Sequence, residues 1–182
     1  MKRIYLLLAI FSIFLSACHS PKVFVTDVTT EKKPWTNLDF NNNPDNFQFA
    51  IVSDRNGGSR PGVFEDAVRK VNLLQPEFVL SVGDLISGYT TDTTVISKQW
   101  NEINGTLSEL KMPFFYLPGN HDITNKVMEK EWEKRYGSRY YSFTYKNTLF
   151  IILDSNDDDD FNLTRKQTDF VLKSLKDNSQ VR

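Results

Sequence analysis

In the segment 77–84, EFVLSVGD, a short apolar run breaks at Gly83 and delivers an acid, Asp84. A run of this length, rich in strand formers and closed by a turn residue, reads as a buried strand. The same event occurs earlier, where FQFAIVSD (47–54) runs into Asp54 and the glycine-rich NGG at 56–58. Between the two lies RPGVFEDAVRKVNLLQP (60–76), with Pro61 suited to a first helical turn and Glu65 and Asp66 near that end. Its apolar Val63, Phe64, Ala67, Val68, Val71 and Leu74 share one face, and Pro76 stops the helix. Strand, helix and strand at this spacing predict a parallel crossover unit.

Toward the carboxyl terminus the alternation continues. Ile96, Trp100, Ile103, Leu107 and Leu110 recur at helical steps. A third strand, PFFYLP (113–118), then ends in GNHD (119–122), and a third helix over 124–136 carries Val127, Met128, Trp132 and Tyr136 and stops at Gly137. RYYSFTYKNTLFIILD (139–154) predicts a hairpin turning at Lys146 and Asn147, with the second arm the more buried. In LTRKQTDFVLKSLKDN (163–178), Thr164 and Gln167 stand in capping-box relation, and Phe170, Val171, Leu172 and Leu175 are the expected buried face.

The chain has 182 residues, 40% hydrophobic and 25% charged, which fits one globular domain with a core. A formal net charge of −1 without a basic block excludes the electrostatic footprint of a nucleic-acid binder. Residues 1–17, MKRIYLLLAIFSIFLSA, have the basic start and apolar run of a secretory signal. LSAC (15–18) resembles the lipobox of bacterial lipoproteins, and Cys18 is the only cysteine, so lipidation explains it better than a disulfide. The expectation is a protein anchored to the membrane at the bacterial cell envelope through Cys18, with residues 18–46 as a polar tether. Loss of Lys2 and Arg3 with the leader leaves 20 basic residues against 23 acidic, or about −3 at neutral pH. The acidic run at 157–160 reads as a solvated loop, with a weak calcium site as the minor alternative.

Parallel strands joined by helices bring their carboxyl ends to one sheet edge, where open α/β sheets bind ligands. At three such ends stand Asp54, Asp84 and the trio Asn120, His121 and Asp122. Any one of them alone reads as a turn former or helix cap, with Asp122 or Thr124 the candidate cap for the third helix. Together, SDRNGG, VGDLI and LPGNHD resemble the first three motifs of the calcineurin-like metallophosphoesterase family.

That resemblance spans 47–182 and implies an α/β/β/α sandwich, represented here mainly by the first sheet and its helices. It implies two divalent metal ions (Mn, Mg, Fe or Zn), with Asp54 on the first, Asp84 bridging both and Asn120 on the second. It makes His121 the proton donor to the leaving oxygen of a phosphoester substrate and Asp122 the residue that orients the imidazole. Asn56 stands where the family usually has a histidine, and it is either an oxygen ligand or part of a tight turn. Arg55 is a candidate for a phosphate oxygen. Asp154 closes LFIILD near the same edge, but the resemblance does not make it a ligand.

The family's later histidines have no counterpart, since none follows His121 in these 182 residues. The expectation is therefore the front part of a longer enzyme, with too few ligands for a tight metal site and little or no phosphatase activity with manganese in residues 18–182. An uncovered inner face on the first sheet, prone to aggregation, follows from the same reading. The rival reading is a non-catalytic surface lipoprotein that keeps the fold to bind a ligand or partner.

Overall fold

Three parallel strands carry the strand-end acids. The computed structural model describes residues 23–41, 46–56, 58–157 and 163–181; residues 1–17, read above as a secretory signal, and Cys18 lie outside them. Strands β2 (Phe49–Val52), β3 (Phe78–Ser81) and β4 (Phe114–Phe115) form one sheet in that order, with Phe49 opposite Phe78 and Val79 opposite Phe114. Helices α1 (Val63–Leu74) and α2 (Thr93–Leu107) are the crossovers, and α3 (Lys126–Tyr136) follows β4. Side chains alternate across the sheet as the pleat requires. Val79 and Phe114 join the helix-side core with Ile96, Trp100, Met128 and Trp132, while Phe78, Leu80 and Phe115 point the other way.

Helix starts follow from local chemistry. The Asp92 side chain accepts from the N–H groups of Thr94 and Val95 at the head of α2. At α3 the cap is Asn125, which accepts from Val127 and Met128, so neither Asp122 nor Thr124 caps this helix.

A second sheet covers the inner face expected to be bare. Strands β1 (Phe24–Thr26), β5 (Tyr141–Tyr145) and β6 (Thr148–Ile152) are antiparallel in that order. β1 lies in the stretch read as tether, and there Phe24 packs against Trp35, Phe40, Phe115 and Phe143. Trp35 bridges to Phe115 through the backbone. The two sheets meet through an aromatic layer in which Phe143 stacks on Phe115 at 4.5 Å and Phe78 meets Tyr145 edge-on at 5.4 Å. Exposure of that face, and the aggregation expected from it, are thus withdrawn.

The hairpin turns at Lys146 and Asn147, with Tyr145 opposite Thr148. Its first arm is the buried one: all five residues of β5 are buried, whereas β6 is half-buried up to Ile152. β5 is the central strand and feeds Tyr141, Phe143 and Tyr145 into the aromatic layer; β6 is an edge. On the outer face, α4 (Arg165–Asp177) meets the sheet through Ser174, whose hydroxyl lies 3.5 Å from that of Ser142. Its buried residues are Gln167 and Ser174, while Leu172 and Leu175 are exposed, contrary to the apolar face expected. The layers run helix, sheet, sheet, helix.

Candidate active site

The three strand-end loops are built around two glycines. A Cβ on Gly83 (φ +93°) would fall 2.3 Å from the Gly119 nitrogen, and one on Gly119 would fall 2.3 Å from Asp84 Oδ1. The loops after β3 and β4 therefore touch main chain to main chain, which explains why both motifs carry glycine before the polar residue. Asp54 and Asp84 both sit at positive φ, 53° and 58°. Backbone bonds tie the loops together: Asp54 N–H donates to the Gly83 carbonyl (3.2 Å) and Asn56 N–H to the Asp84 carbonyl (3.2 Å). His121 N–H donates to Asp84 Oδ1 at 3.0 Å.

Asp54, Asp84 and Asn120 line one cleft of about 420 Å³. The Ser53 hydroxyl donates to Asp54. Asn120 Nδ2 donates to the Tyr89 hydroxyl at 2.7 Å, which leaves the amide oxygen available as a ligand atom. The second sheet contributes Ser155 and Asn156 to the same cleft. Sequence reading missed both, although Asp154, two positions before Asn156, marked the end of the strand that brings them there.

His121 and Asp122, read as a pair, are separated by the structure. His121 Nδ1 lies 2.8 Å from the Ser87 carbonyl, which can only accept, so Nδ1 carries the hydrogen and Nε2 is left to exchange a proton. The Tyr89 ring meets the imidazole edge-on at 4.8 Å. Asp122 is fully buried and turned to main chain instead. Its Oδ2 accepts from the N–H groups of Asp84 (2.8 Å) and Gly119 (2.9 Å), and its Oδ1 from Leu85 (3.0 Å) and Ile86 (3.1 Å). The contact expected between Asp122 and the imidazole is thus made by Ser87, because four otherwise unpaired N–H groups claim the carboxylate. Burial pushes the Asp122 carboxyl up to about 7, against the pull of the Gly119, Ile86 and Leu85 N–H groups, and the Asp84 charge adds to the rise.

Two further expectations change. The Asn56 side chain is spent on the loops: its Oδ1 accepts from the Ser87 hydroxyl (3.0 Å) and its Nδ2 donates to the Asp84 carbonyl (3.4 Å). The turn reading of Asn56 is the one the geometry favours. Arg55 pairs with Glu102 at 2.5 Å and reaches the Leu85 carbonyl at 3.4 Å, and it is not on the lining of the cleft that holds Asp54, Asp84 and Asn120.

Among the described residues no three His, Cys, Asp or Glu side chains come together as a metal cage. The cleft's donors are two carboxylates and an amide oxygen. This set fits a hard, oxygen-seeking divalent cation held loosely and does not fit a closed site of imidazoles or thiolates.

No curated protein and no solved structure matches the chain. The family model for calcineurin-like phosphoesterase matches residues 23–175, from the edge of β1 into α4, and takes in all three strand-end loops. Phosphoester hydrolysis is that family's reaction, and divalent metals are its usual cofactors. On that match, over most of its length, the chain belongs to the calcineurin-like phosphoesterase family.

Proposed function

We propose that this chain acts on a phosphoester at the strand-end cleft with the help of two divalent metal ions, which Asp54, Asp84 and Asn120 would hold. The observation that carries the reading is that these three side chains, from three adjacent parallel strands, line one cleft. When bound, the cations supply positive charge for the phosphoryl oxygens and a deprotonated water as nucleophile. The chain's own residues do the rest. The Ser87 carbonyl fixes the His121 ring through Nδ1–H, so that Nε2 is the atom to protonate the leaving oxygen. Asp122 serves by pinning the Asp84–Ile86 and Gly119 backbones, which sets the spacing of the ligands.

With one amide and two carboxylates in the cleft, cation affinity and turnover are expected to be low. A binding module without turnover is the second reading, and the specific support for it is Asn56, whose side chain is consumed by loop contacts where an imidazole ligand is usual. Manganese-dependent hydrolysis of an aryl phosphate separates the two. Slow turnover that disappears in Asp84→Ala, and that drops most for poor leaving groups in His121→Gln, supports the enzyme. Metal and phosphate binding with no turnover supports the binding module.

Attachment at the bacterial cell envelope through lipidated Cys18 belongs to the same proposal, supported by the leader and the single cysteine. Detergent-phase partitioning that is lost in Cys18→Ser is the expected result; aqueous partitioning of both forms contradicts it.

A further inference from the structure

Asn156 reaches the cleft from the second sheet, and a deep polar network lies beneath it. Two residues past the end of β6 stands Asp154, which is fully buried. Asp154 Oδ1 accepts from the Asn156 backbone N–H (2.9 Å) and lies 3.4 Å from Asn156 Nδ2, a side-chain-closed turn. Both main-chain groups of Asp154 are taken by one amide: its N–H donates to Gln167 Oε1 (2.9 Å), and Gln167 Nε2 donates to its carbonyl (2.7 Å). Asp154 Oδ2 faces Arg139 Nη1 at 3.1 Å, a contact of charge without hydrogen-bond geometry. Arg139 also reaches Asp157 (3.0 Å) and, on α3, Glu129 (3.3 Å). Burying a carboxylate costs free energy even when it is paired. A network drawn from α3, the entry to β5, the end of β6 and α4, all converging on one surface turn, reads as positioning.

The cleft's remaining chemistry gives the role. A phosphoryl group held at Asp54, Asp84 and Asn120 has oxygens that need donors, yet no arginine or lysine is on the cleft lining among the described residues. Arg55 is committed to Glu102, and Arg60 belongs to the neighbouring pocket. The Ser53 hydroxyl is given to Asp54 and the Asn120 amide to Tyr89. Of the lining side chains this leaves Ser155 and Asn156, and Asp154 fixes the latter. An amide has two N–H donors, so the one turned toward Asp154 leaves another for the cleft.

We infer that the Asn156 side-chain amide donates a hydrogen bond to a phosphoryl oxygen of the substrate, and that Asp154 is the positioning residue that holds it there. This rests on the phosphoester reading above.

The test is calorimetric titration of inorganic phosphate into the full chain with magnesium present. Asn156→Ala is expected to weaken phosphate binding about tenfold, the scale of one hydrogen bond to a charged group, with the thermal midpoint unchanged. Asn156→Asp keeps the shape and the backbone turn but removes the donor, and is expected to weaken binding more than alanine does. Asp154→Ala is expected to match Asn156→Ala, and the double variant to add nothing. Unchanged affinity in Asn156→Asp would show that the residue serves the turn alone and overturn the inference. Binding lost in Asp84→Ala but untouched by every Asn156 variant would overturn it while leaving the phosphoester reading intact. No phosphate binding by the unsubstituted chain would take down both.

Discussion

Two fully buried aspartates stand behind the same cleft, Asp122 on the parallel-sheet side and Asp154 on the antiparallel side, and different partners hold them. Among the described residues no cation pairs with Asp122: four main-chain N–H groups share its charge, and they belong to the two loops that carry Asp84 and Asn120. Asp154 faces a cation, Arg139, and clamps one turn through side chains from other elements. A carboxylate that fastens backbone to backbone fixes atoms which cannot repack, and so holds Asp84 and Asn120 at a set spacing. One held by a side-chain network fixes a single loop and tolerates adjustment.

Asp122→Ala should separate the two most strongly. Four N–H groups, two of them on buried residues and two on half-buried ones, lose their acceptor at once, and a loss of about 4 kcal/mol or more is expected in urea unfolding, with cation binding lost as well. A loss as small as that of an exposed alanine substitution would break the comparison.

Acid–base behaviour comes next. The folded-state pKa of Asp122, about 7, stands above its ordinary value of 3.8, so the folded chain holds this proton more tightly than the unfolded chain. The contribution of Asp122 to stability is therefore fullest below about pH 4 and falls as pH rises toward 7, on the order of 2–4 kcal/mol, then levels off. Burial also raises Asp154, against Arg139, and adds in the same direction. Magnesium should flatten the slope by offsetting the Asp84 charge, and Asp122→Ala should remove most of it. Stability that rises across this window would mean that the four N–H donors, not burial, set the charge state.

Asp154→Ala leaves Arg139 with Glu129 and Asp157, so its cost should be smaller, about 2–3 kcal/mol. Thermal unfolding checks it, and a cost above that of Asp122→Ala would invert the ranking. Asn125→Ala, which removes only the α3 cap, should cost about 1 kcal/mol and leave cation binding unaltered.

The parallel half of the fold was legible because its signals are local. Short apolar runs ending in glycine and a polar residue marked the strand ends, and helical spacing marked α1 to α3. The cleft residues Asp54, Asp84 and Asn120 came with those strand ends. The second sheet was not legible in the same way. β1 is three residues long and pairs with β5 far along the chain, Phe24 opposite Tyr145, so no local period announces it. The burial of β5 over β6 depends on which strand is central, a property of the assembled sheet. Asp122 was paired by sequence with His121, its neighbour and the obvious choice, because the four N–H groups that hold it appear only when the loops meet. Asn156 carries no signal beyond a turn-forming composition; its place in the cleft depends on the sheets packing together.

Paramagnetic broadening by manganese, read on the backbone amide signals, tests most directly whether the strand-end cleft binds a divalent cation. The account predicts that low manganese concentrations broaden 53–56, 83–88 and 119–122 first, leave β1 and α4 sharp, and lose this selectivity in Asp84→Asn. Broadening centred on the acidic run at 157–160, or a pattern unchanged by Asp84→Asn, would contradict it.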